Sequence, residues 1–157
     1  MALPFIHMGK WKMGYFDPRL VLFFGILIAI EAVARGIDYL TGDHPDTTSS
    51  LTAIEKAMPL QWWGALCLFA GAGVLIGMLG RWATMIIGCS MIGGATYLTL
   101  AVGLAMKAWE RDGDGFRTPV MFVVVGIVWF CIAWGTAEKM RRLALMEVLS
   151  ASVTPKE

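Results

Sequence analysis

A bundle of four membrane-spanning helices, all-α and polytopic, is the fold class this sequence predicts, and three observations predict it. Hydrophobic residues make up 57% of the 157-residue chain and charged residues 16%, against roughly 45–50% and 25% in soluble domains. The uncharged residues are clustered, so that Gln61 to Gly80 and Trp82 to Met106 contain no Asp, Glu, Lys or Arg. A run of about 20 apolar residues is long enough to cross a bilayer as a helix, and lipid leaves the backbone no other way to satisfy its hydrogen bonds. This pattern excludes a soluble enzyme, a disordered chain and a nucleic-acid-binding domain. The formal net charge of +1 offers no field to attract a phosphate backbone.

The first span is expected over residues 19–39, entered through Asp17-Pro18, since proline suits a helix start where its missing N–H would have no partner anyway. Its inner half, Leu20 to Ile30, is apolar, and its outer half carries Glu31, Arg35 and Asp38. The second span is expected over residues 61–79, after Pro59, and the third over residues 82–106. The fourth opens at Pro119, is apolar to Trp134, and is drawn over residues 119–136. A charged cytoplasmic helical tail follows over residues 137–149, with Glu138, Lys139, Arg141 and Arg142. The chain reads as a single transmembrane domain with no cleaved leader, because the residues around Lys10, Lys12 and Arg19 form no short apolar core with a small-residue cleavage site. The first span is expected to act as its own insertion signal.

Two connections have features of their own. The loop from Thr41 to Leu60 begins with Gly42, Asp43, His44, Pro45 and Asp46, which is turn chemistry. Thr52 and Glu55 then match a capping box, with Leu51, Ile54 and Met58 on one side of the short helix it would start. In the loop after span three, Asp112-Gly113-Asp114-Gly115 resembles the opening of a calcium loop. It lacks the further oxygen ligands and the closing Glu, so it reads as a solvated turn.

Orientation follows from the basic residues. With the N-terminus inside, the inner segments hold 8 of the 13 Lys and Arg residues, Arg81 among them, and the outer segments hold 5. Eight of the 12 acidic residues then fall outside. Both termini are therefore expected in the cytoplasm, with the chain in the cytoplasmic (inner) membrane. Trp11, Tyr15 and Phe16 at one end of span one, Trp62 and Trp63 at the head of span two, and Trp82 and Trp109 flanking span three suit the headgroup level.

The feature that costs energy inside a span is Glu31-x-x-x-Arg35-x-x-Asp38. These positions fall on one helix face, and Glu four residues before Arg is the favourable order. A charge at a helix centre costs about 2.5–3.5 kcal/mol on insertion scales. The patch is therefore expected either to line a wet path or an oligomer interface, or to be an ion pair whose Arg35 reaches the headgroups. Small residues form a second feature: Gly73-x-x-x-Gly77 in span two, and Thr84-x-x-x-Gly88 and Ser90-x-x-x-Gly94 in span three. Such spacing serves packing within one bundle or association between copies.

No catalytic, cofactor or metal residue is expected, and the chain does not read as an enzyme. Cys67, Cys89 and Cys131 lie in apolar runs without a CxxC spacing, and His7 and His44 lie outside the spans, leaving no histidine pair for an intramembrane haem. No Ser/His arrangement and no HExxH motif occurs in a span.

The stretch Trp63-Gly64-Ala65-Leu66 through Gly77-Met78-Leu79-Gly80-Arg81-Trp82, followed by Gly94-Ala95-Thr96-Tyr97-Leu98, resembles a class of small four-span proteins encoded by bacteriophages of actinobacteria. Several of these are described as holin candidates or simply as membrane proteins. The glycine-rich approach to Gly80-Arg81 also resembles DoxX-like four-span proteins, often linked to membrane redox complexes. The likeness covers spans two and three, and no functional residue carries over from either group. It implies a holin-like, lysis-associated protein that permeabilises the membrane by self-association, partnered by the bilayer and by its own copies. The alternative is an accessory or scaffolding subunit of a membrane complex, or a phage exclusion protein, binding a protein partner through the 41–60 loop.

Overall fold

The computed structural model describes residues 18–41, 58–110 and 115–153. The expectations for Trp11, Tyr15, Phe16 and His7, for His44 and the Thr52–Glu55 capping box, and for Asp112 to Asp114 lie outside these residues. The described chain is all-α, with four helices: α1 (Pro18–Thr41), α2 (Leu60–Gly80), α3 (Ala83–Trp109) and α4 (Arg117–Val153). Three of them, α2, α3 and α4, are long and apolar enough to cross a membrane.

Local chemistry sets the helix ends. Pro59 precedes α2 and breaks the helical pattern at its entry. At the other end of α2 the chain turns through Arg81, which adopts the left-handed conformation with φ 58°. The Arg81 N–H bonds the Met78 carbonyl and the Trp82 N–H bonds the Gly77 carbonyl at 2.8 Å. These two bonds make a Schellman motif, and the Trp82 carbonyl then accepts from Ile86 in the first turn of α3. So short a turn leaves α2 and α3 no arrangement but antiparallel. Helix α4 begins at Arg117, before Pro119, because a proline in the first turn withholds an N–H that has no intrahelical acceptor. It then runs for 37 residues without interruption, so the apolar stretch and the charged tail form one helix about 55 Å long.

Sequence neighbours pack against each other in an antiparallel series, and α1 meets α4 only along a thin seam. The α1–α2 approach is the closest. A Cβ added at Gly36 would lie 2.7 Å from the Leu68 backbone nitrogen and 2.8 Å from the Gly64 carbonyl oxygen. One at Gly71 would lie 2.6 Å from the Ala29 carbonyl oxygen. Only glycine lets the two backbones come this near. The core they help to enclose contains Ala29, Ala32, Cys67, Val74, Tyr97, Leu100 and Trp129. Outward faces carry Phe23, Phe24, Leu27, Phe69, Ile76, Val102, Val124 and Ile127, all exposed. Large apolar residues both inside and outside are what multi-pass membrane helices need, since water must be excluded from the interior and lipid accepted at the surface.

Candidate functional site

Glu31 lies near the middle of α1, about 20 Å from its start and about 15 Å from its end at 1.5 Å rise per residue. Arg35 stands one turn further on the same side, and its Nε donates to Glu31 Oε1 at 2.7 Å. A second donor, Arg35 Nη2, reaches the same oxygen. The other carboxylate oxygen, Oε2, accepts from the hydroxyl of Tyr97 on α3. Each oxygen of Glu31 is thus held by a different helix.

Arg35 is held by rings as well. Its guanidinium carbon lies 4.5 Å from the centroid of Phe122 on α4 and 5.7 Å from that of Tyr97. These are cation–π distances, and such contacts strengthen when the cation is desolvated. Tyr97 in turn packs 5.7 Å from Phe122 and 6.5 Å from Trp129, centroid to centroid. Tyr97 and Trp129 are buried, whereas the side chains of Arg35 and Glu31 keep 30% and 38% of their exposure. The pair therefore sits at the edge of the core, where the seam between α1 and α4 is thin. Its charges cancel, and hydrogen bonds occupy the acceptor side, which is the condition under which an ion pair tolerates partial desolvation.

Among the residues singled out from the sequence, Glu31 and Arg35 come together, while Asp38 is exposed and stays outside this hydrogen-bonded group. Tyr39, buried and within hydrogen-bonding reach of Arg35, continues the inward face in its place. Positions 31, 35 and 39 repeat at i, i+4 and i+8, and a third charge there would have no cation of its own to offset desolvation. The small residues divide likewise. Gly73 and Gly77 face Cys89 and Ile86 of α3, Gly94 faces Phe130 of α4, and Ser90 is fully buried. Thr84 and Gly88 point outward, with open space beside Gly88. Among the described residues, no group of three or more His, Cys, Asp or Glu converges to hold a metal ion.

Sequence reasoning missed Tyr97 and Phe122 as members of the site. One signal was available: Tyr97 is a phenol deep in a charge-free run, and a buried hydroxyl needs an acceptor. Comparison with protein-family models, with curated proteins and with solved structures returns no match.

Proposed function

We propose that this chain is a four-span protein of the cytoplasmic membrane, with both termini inside, that serves as an accessory or scaffolding subunit of a membrane complex. The observation that carries this reading is the state of Glu31: Arg35 and Tyr97 hold its two oxygens from two helices, so its charge is spent inside the fold. A pore lined by this patch needs the carboxylate wet, whereas a scaffold can keep it paired. α1 is the fourth span in this reading, because a neutralised pair lowers the cost of carrying Glu31 and Arg35 at membrane depth. The partner surface is the outer end of α1 together with the 41–60 loop.

A second reading, holin-like self-association with loss of the membrane barrier, is favoured by a different observation. The exposed face of α3 carries Thr84, Gly88, Ala95 and Thr99, small residues at helical spacing that the bundle itself leaves unused. Packing between copies would use such a face.

Controlled expression in a bacterial host separates the two. A scaffold leaves the membrane polarised at high expression, and purification in mild detergent brings down a stoichiometric partner that is lost when residues 42–57 are deleted. Abrupt, concentration-dependent depolarisation with leakage of a cytosolic reporter would overturn this reading and favour the self-associating one.

A further inference from the structure

At the end of the bundle where α3 gives way to α4 lies a shallow cavity of about 430 Å³, open to one side and lined by Ala105, Met106, Trp109, Glu110 and Phe116. That volume falls within the roughly 300–1,000 Å³ of small-ligand sites. Its walls are mostly apolar, and Met106 is the last residue of the charge-free run of α3. Of the lining residues Glu110 is the charged one, and it is paired with Lys107 beside the cavity, whose Nζ lies 3.1 Å from Glu110 Oε2. Glu110 is mostly exposed and free to take a second donor, while the Lys107 side chain is largely covered.

We infer that this cavity binds a zwitterionic phospholipid with a primary ammonium headgroup, a phosphatidylethanolamine. The inference rests on the proposal that α3 and α4 span a membrane, which puts Trp109 and Lys107 at headgroup depth. The order of the chemistry matches such a lipid from tail to head. Acyl chain lies along Ala105 and Met106, and the glycerol region meets the amphipathic ring of Trp109 and the face of Phe116. The headgroup phosphate then meets Lys107, and its ammonium meets Glu110. The carboxylate at the C-terminal end of α3 adds to the negative pole of that helix, which favours a cation. A primary ammonium can donate hydrogen bonds to Glu110, and charge-assisted bonds are the stronger kind. Choline, fully methylated, has no such donor, and a glycerol headgroup has no cation.

The test uses the full chain, purified in detergent and mixed with vesicles of phosphatidylcholine, phosphatidylglycerol or phosphatidylethanolamine blends, with flotation and native mass spectrometry as readouts. The expected result is flotation with all three and retention of phosphatidylethanolamine about tenfold tighter than the others. Glu110→Gln and Trp109→Ala should each abolish that preference with helix content unchanged, and Lys139→Gln at the far end of the molecule should keep it. Flotation with equal retention of all three lipids would overturn the inference and leave the membrane reading standing. Failure to float with any vesicle would remove the membrane reading, and the inference with it.

Discussion

Glu31 is the residue whose surroundings change what its presence means. In the sequence it is a charge in an apolar stretch; in the fold it is an acceptor shared by Arg35 and Tyr97. Breaking one partner is therefore expected to hurt more than removing the whole group. Arg35→Met alone leaves a half-buried carboxylate without its cation and should lower stability by about 1–3 kcal/mol. The triple variant Glu31→Leu/Arg35→Met/Tyr97→Phe, which removes both charges and the hydroxyl that Glu31 accepts from, should come close to the parent. Tyr97→Phe keeps the ring against Phe122 and Trp129 but deletes the donor, and should cost about 1.5–3 kcal/mol, the worth of a hydrogen bond to a charged group. Unfolding in mixed detergent micelles, followed by helix content, measures all three. The pairing of Glu31 with Arg35 was legible because it lies within one helix turn. Tyr97 was not, because it lies 66 residues from Glu31 and its place depends on how the helices that carry them are rotated against each other.

Glycines decide the packing of the helices. Small-residue spacing in α2 and α3 was visible in the sequence, but it does not say which face turns inward, and the tightest approach uses Gly36, Gly64 and Gly71 instead. Gly73, Gly77 and Gly94 face neighbouring helices, while Gly88 faces open space. This difference gives a paired prediction. Gly36→Ala forces a methyl group against the α2 backbone and should destabilise the bundle by about 1–3 kcal/mol. Gly88→Ala meets nothing within 4 Å and should leave stability unchanged or raise it by up to about 1 kcal/mol through helix propensity. The same unfolding assay reads both, and equal losses would show that the α1–α2 contact is not the critical one. Gly88→Leu extends the comparison: a bulky side chain there spares the fold and blocks any association that uses the outward face of α3.

For the molecule as a whole, the central prediction concerns direction. Four antiparallel helices put the Arg81 turn and the end of α4 on one side, and the α3–α4 connection on the other. In the proposed orientation, drawn from the excess of basic residues, the Arg81 side faces the cytoplasm. In a cysteine-free background, a single cysteine from Arg81→Cys should react with an impermeant thiol reagent only in inverted vesicles, and one from Glu110→Cys only in intact cells. The reverse pattern would invert the topology and carry the lipid-binding cavity to the other leaflet.

What the sequence by itself determined is the class of object: an all-α chain whose apolar runs of about 20 residues demand helices, and whose turn at Gly80-Arg81 forces two of them antiparallel. Hydropathy and turn chemistry are local, so they can be read along the chain. The tertiary structure decided which faces meet. It chose the glycine contact of α1 with α2, drew Tyr97 and Phe122 to the Glu31–Arg35 pair, left Asp38 and Gly88 outside, and opened a cavity where α3 ends. Helix rotation and register set each of these, and they are settled by side-chain packing across interfaces rather than by any pattern within a single helix.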